Sequence, residues 1–244
     1  MSALPPGALV ESREQVRILL EEGGLRGRSV QGFDCSGLRM GPAVLDDTRF
    51  ERMTLSSAQL DQADLGRTSF TRVDLRNARF EDAVLCDVRF EDADLTEAAL
   101  VAAHAERVSF LRGSLSNVDA SGAHLVDVSC VETPMYGIKL AGATLVRCHF
   151  SDPRPNTAVE LTRAKLAGAV LIDCKLSGVN LYRADLTGAL FVRCDLSGAM
   201  LTGAEAVGAR LIGCETIGAD LPDALRDQRV GGGPASPYDP VGRP

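Results

Sequence analysis

Tryptophan is absent from this chain of 244 residues, aromatic side chains make up only 5% of it, and histidine occurs three times. A core with so few large side chains must be narrow and filled by small aliphatic ones. Three histidines are too few for most acid–base or metal sites, and neither a glycine-rich phosphate loop nor a metal-spaced cysteine pair occurs. The expectation is a protein that is not an enzyme and holds no cofactor. No window approaches the unbroken apolar run of a membrane helix, and the opening MSALPPGALVESREQ lacks a basic-then-apolar leader. The expected compartment is the cytoplasm, where seven cysteines stay reduced and no membrane partner is needed. A net charge of −7 argues against direct nucleic-acid binding, because like charges repel.

What the chain does have is repetition. Leu or Phe recurs every five residues at Leu45, Phe50, Leu55, Leu60, Leu65, Phe70, Leu75, Phe80, Leu85, Phe90, Leu95 and Leu100. Two residues before most of these centres stands a small residue, as at Ala43, Ala58, Ala63, Ala78 and Ala83. A period of five is neither helical nor that of a simple strand. It suits a chain that turns a corner every five residues, with the centre and the small residue inward. Phe50, Phe70, Phe90 and Phe110 lie twenty apart, so four corners close one turn and like residues stack from turn to turn.

The register slips once. Centres run in fives from residue 35 to residue 150 and resume at Leu161, which is six residues late. With that shift the alanine column continues at Ala169, Ala189 and Ala209, and a Val column continues as Cys148, Cys174, Cys194 and Cys214. The expected fold is all-β: a quadrilateral parallel β-helix of about nine coils at residues 30–222, with successive coils ~4.8 Å apart. A bulge loop falls within 151–159. Residues 1–29 form an N-terminal segment whose SREQVRILLEEGG reads as a capping helix, with Ser12 and Gln15 as a capping box. Residues 223–244 form a short polar turn and a disordered tail.

Runs such as ADLTG at Ala184, AQLDQ at Ala58 and VNLYR at Val179 resemble the A(D/N)Lxx pattern of pentapeptide-repeat proteins. The resemblance covers roughly residues 30–222 and implies a right-handed quadrilateral β-helix. In that family the best-understood activity is imitation of DNA, by which members bind DNA gyrase or a related type II topoisomerase and protect it from inhibitors. Some such members dimerise through an apolar C-terminal helix, and nothing comparable stands in this tail. The start EQVRILLEEGGLRGRSVQGFDCSGLRM is also similar to pentapeptide proteins encoded with bacterial type VI secretion systems.

Three surface features are candidates for binding a protein partner. Residues 31–100 hold fourteen acidic and eight basic side chains, a net of −6. Asp61, Glu81 and Asp82 cluster on one face, and Asp74 stacks with Asp94 on the next, an arrangement that could imitate duplex phosphates. The bland alternative is that Asp before a centre is what the repeat prefers for its turns. Second, Val126, Val146, Ile172, Val192 and Ile212, flanked by Val170 and Leu190, form an outward apolar stripe that suits an assembly partner or a second copy. Its alternative is strand propensity alone. Third, the bulge places Asp152, Arg154 and Asn156 on a stiff loop. Two other patterns read as structural. His104 and His124 share an outward column but make too few ligands for a metal, and four thiols in line cannot converge on one ion. Asp47, Arg67, Asp87, Arg107, Asp127, Arg147, Asp173 and Arg193 alternate in sign at every coil, a ladder that neutralises its own edge.

Overall fold

In the computed structural model, which describes residues 9–151 and 159–226, the pentapeptide centres point inward and the chain winds as a parallel β-solenoid of about ten turns. Two of the four sides are regular sheets. Eight strands stack in parallel on one side, from Leu9–Val10 and Ser29–Gln31 to His149–Ser151. Seven stack on an adjoining side, from Val84–Cys86 to Arg210–Ile212. The other two sides carry isolated parallel bridges such as Asp34↔Thr54 and Arg39↔Gln59.

Most corners outside the sheet strands are closed by a backbone bond from residue i+3 to the centre, as in Ala63 N–H to the Leu60 carbonyl at 3.1 Å. The residue between, two past the centre, takes a left-handed conformation. It does so at twenty-two non-glycine positions among the described residues, from Asp47 (φ 57) to Arg193 (φ 51). This corner residue turns the strand by a sharp angle, and its side chain leaves the rod outward.

Inside, Phe50, Phe70, Phe90 and Phe110 stack with centroids 5.0, 4.9 and 4.7 Å apart and planes within 8°. Phe80 meets Phe70 and Phe90 edge-on at 6.5 and 6.4 Å. The narrow core expected from composition thus holds a file of four rings between Phe50 and Phe110. It is otherwise filled by buried leucines such as Leu65, Leu140 and Leu171 and alanines such as Ala63, Ala83 and Ala103.

The six-residue slip is borne out by register. Thr144, Leu145 and Val146 pair with Val170, Leu171 and Ile172, twenty-six residues on, whereas neighbouring strands pair at twenty. Helix α1, Arg13–Glu21, is capped by the Ser12 hydroxyl, which accepts from Gln15 N–H at 3.3 Å. The Gln15 side chain bonds back to Glu11 N–H instead of that of Ser12. Val16 and Leu19 are buried against the first turn. The helix sits within a turn, because Leu9–Val10 already pairs in parallel with Ser29–Val30 twenty residues later. That turn accounts for ten where the sequence suggested nine. At the other end, helix α2, Asp223–Arg226, is not the wholly polar turn expected, since Leu225 is fully buried under the last coil. No helix among the described residues is long and apolar enough to cross a membrane.

Candidate functional site

The strands of the seven-stranded sheet each carry one inward centre between two outward residues. The outward residue after the centre reads Cys86, Glu106, Val126, Val146, Ile172, Val192 and Ile212 along the stack. Strand pairing sets Val126, Val146, Ile172, Val192 and Ile212 in direct register, with Val170 beside Leu190. The apolar stripe is therefore one continuous side of the rod. Its members are half-buried by one another, and Ile212 at the end is 42% exposed.

The same side changes character toward the N-terminus. There Asp46, only 8% exposed, receives Arg67 Nη2 at 2.7 Å and lies 3.2 Å from Arg26 Nε. Gly66 faces it, and a Cβ at that position would stand 2.7 Å from Asp46 Oδ1. Sequence reasoning missed this split. The signal was available in the column itself, which runs Asp46, Gly66, Cys86 and Glu106 before turning apolar.

One corner of this side carries the alternating ladder, and the structure resolves it into four discrete pairs. Arg67, Arg107, Arg147 and Arg193 each reach back one coil and grip Asp47, Asp87, Asp127 and Asp173 with two hydrogen bonds of 2.6–3.0 Å. The guanidinium bonds hold all four Asp carboxyls below their usual range. Beside the ladder, His104 and His124 stack with centroids 5.0 Å apart. No group of three metal-ligating side chains occurs among the described residues.

The acidic face carries less free charge than the sequence suggested. Arg79 bridges Asp61 and Glu81, at 3.3 Å to each. Arg76 binds Asp74 through Nε at 2.9 Å and Nη2 at 2.6 Å, and that contact lowers the carboxyl's pKa. The reading of Asp61 and Glu81 as a cluster of acid is thus corrected, because Arg79, on the same side of the rod, spans both coils. Asp74 and Asp94 also accept the N–H of Arg76 and Thr96 two residues on, which is how Asp before a centre shapes the turn. Asp74, Asp94 and Asp92 line a shallow groove together with Arg72 and Arg76. Asp82 is exposed at a left-handed corner. Asp152, Arg154 and Asn156 lie outside the described residues.

The cysteine column does more than fill space. The thiols of Cys148, Cys174, Cys194 and Cys214 point to the carbonyls of Leu125, Leu145, Leu171 and Phe191 at 3.4–3.5 Å. Thr48 and Thr68, earlier in the same column, donate to Leu25 and Leu45 carbonyls at 2.7 Å. These positions therefore bond backbone as well as pack. Contact with Cys148 pushes the Cys174 pKa up to about 12, so that thiol stays protonated at neutral pH and is a poor nucleophile.

Comparison with known proteins places this geometry. A family model described as pentapeptide repeat region matches residues 43–120, and one described as pentapeptide repeats (8 copies) matches 157–191 and 180–215. No curated protein matches the sequence. Among solved structures, a trypsin-treated form of QnrB1, described as a plasmid-mediated fluoroquinolone resistance protein, superposes with a TM-score of 0.52. It is 19% identical, over 79% of this chain and 91% of that one. HetL, a pentapeptide repeat protein involved in heterocyst differentiation regulation from the cyanobacterium Nostoc sp. strain PCC 7120, gives 0.49 at 21% identity. Those figures cover 80% of this chain and 91% of HetL. At these identities the likeness concerns the fold.

Proposed function

Since the chain belongs to the pentapeptide-repeat family, we propose that it is a non-catalytic interaction rod which docks a protein on the apolar half of its seven-stranded sheet. The observation that carries this reading is the in-register column Val126, Val146, Ile172, Val192 and Ile212. Solvent-facing strand positions elsewhere on the rod are mostly polar, as in Arg49–Glu51 and Arg89–Glu91. Five β-branched side chains in line offer a flat, rigid surface that loses little side-chain entropy on binding. The test is affinity capture on the tagged rod, followed by reconstitution with the purified captured protein. Val146→Asp/Val192→Asp is expected to abolish the reconstituted complex while leaving the circular dichroism spectrum unchanged. Equal binding by both forms would sink the reading.

A second reading takes the acidic face as a surface for a type II topoisomerase, supported by exposed Asp82 and by the in-register stacking of Asp74 on Asp94. The likeness of fold to QnrB1 motivates the assay. Under this reading the rod spares gyrase supercoiling in the presence of a fluoroquinolone, and Asp82→Lys/Asp94→Lys removes the effect. Absence of binding and of protection by the wild-type rod would retire it. The Arg76 and Arg79 bridges make this the weaker of the two, because they contact four of the five carboxylates invoked and offset two of their negative charges.

A further inference from the structure

The apolar side is bordered along one corner by Asp127, Arg147, Asp173 and Arg193, alternating in sign from coil to coil. Each residue of this border directly follows one of the stripe: Val126, Val146, Ile172 and Val192. Any protein that covers the stripe must meet this border, so the border's charge order restricts what fits.

An alternating row read backwards is its own complement. We propose that the occupant of the apolar side is a second copy of this chain, laid face to face and antiparallel; this rests on the reading of that side as a docking surface. The two-fold axis lies along the strand direction, between the coils of Val146 and Ile172. It sets Val146 against Ile172 of the second copy and Val126 against Val192 of the second copy. The same operation sets Arg147 against Asp173 of the second copy and Asp127 against Arg193 of the second copy. Both bidentate pairs of one chain thus meet the pairs of the other with signs reversed.

The ladder also rejects the neighbouring arrangements. A slip by one coil, about 4.8 Å, brings Asp173 onto its own counterpart and Arg147 onto Arg193. Like charges placed opposite one another oppose association. In a parallel arrangement the two-fold runs along the rod and moves the ladder to the far edge of the partner's face, where no such row waits. Of these arrangements, the antiparallel one with its axis between Val146 and Ile172 gives all four border charges an opposite charge while keeping apolar residues opposite apolar ones. The four coils from Val126 to Val192 that overlap make a patch about 19 Å tall, at the small end of specific interfaces, so the dimer dissociates on dilution.

The experiment is sedimentation equilibrium of the full chain across a dilution series, with circular dichroism to confirm folding of each variant. Wild type is expected to move from the 25.9 kDa monomer toward twice that mass as concentration rises. Asp173→Arg/Arg193→Asp keeps an intramolecular pair but sets like charges opposite across the two-fold, and raises the dissociation constant at least about tenfold. Adding Asp127→Arg/Arg147→Asp to it restores complementarity and returns the constant to near the wild-type value. A ladder with a purely structural role would show no such rescue. A wild type that stays monomeric, or a dimer indifferent to the single swap, overturns the inference. If the wild type is monomeric yet its complex with another purified protein is lost in Val146→Asp/Val192→Asp, the second copy is excluded while the docking side stands.

Discussion

At the corner of each pentapeptide the residue two past the centre must adopt positive φ, and this single position governs much of the local sequence. The left-handed region costs an L-residue about 1–2 kcal/mol, which glycine avoids. One such column reads Asp82, Ala102, Gly122 and Gly142, with φ of 56, 55, 68 and 66. Ala102 has neither the local hydrogen bonding of Asp nor glycine's freedom. Ala102→Gly is therefore expected to stabilise the rod, by up to about 1 kcal/mol after the entropy gained by the unfolded chain. Gly122→Ala should cost about as much, although its Cβ would meet nothing within 4 Å. Urea titrations of the two variants check the opposite signs.

Among the elements, the phenylalanine file and the charge ladder dominate two different properties. Phe90 is almost wholly buried between the rings of Phe70 and Phe110, 4.9 and 4.7 Å away. Phe90→Ala should cost about 3–5 kcal/mol, since neighbouring coils cannot collapse into the gap without breaking their register. Chemical denaturation gives the figure. The ladder governs the response to acid. Hydrogen bonds from Arg147 and Arg193 hold Asp127 and Asp173 below the usual carboxylate range in the folded state. A carboxyl lowered on folding stabilises above its unfolded pKa, and that contribution fades as pH falls through the lower folded value. Melting temperature should therefore drop from pH 5 to pH 2–3, and Arg147→Gln/Arg193→Gln should flatten the drop. An unchanged slope in the variant would show that the acid response lies elsewhere.

For the whole molecule, each coil touches only its neighbours, so stability accumulates along one dimension. The six inserted residues interrupt that line without spoiling either flank, because Lys139↔Lys165 and Thr144↔Val170 pair across the offset while Glu160↔Asn180 resumes at twenty. Deleting residues 153–158 is expected to restore an unbroken twenty-residue period and to leave the melting temperature within a few degrees or raise it. A cooperative loss of structure in that variant would mean the insertion is needed to join the halves.

Much of this was legible in the residues because a solenoid repeats its environment. The five-residue spacing of Leu55, Leu60 and Leu65, the twenty-residue spacing of Phe50, Phe70 and Phe90, and the slip before Leu161 each follow from stacking like on like. Contacts that leave the column were not legible. Arg79 serves Asp61 on the coil before and Glu81 on its own, across the buried centre Phe80. Nothing in the repeat says which way a long side chain will swing. Leu225 was hidden for a related reason: it lies past the last repeat, where no column predicts its burial.

By itself the sequence determined the fold class, the register and the sides on which each outward residue lies, because a strict period leaves one way to bury every centre. Only the tertiary structure decided which charges are spent internally. It showed that the ladder is four bidentate pairs and that the acidic face is bridged by arginines. It also showed that the seven-stranded sheet is polar at one end and apolar at the other. Those outcomes depend on which way long side chains swing across a step of about 4.8 Å, a choice that sequence spacing does not encode.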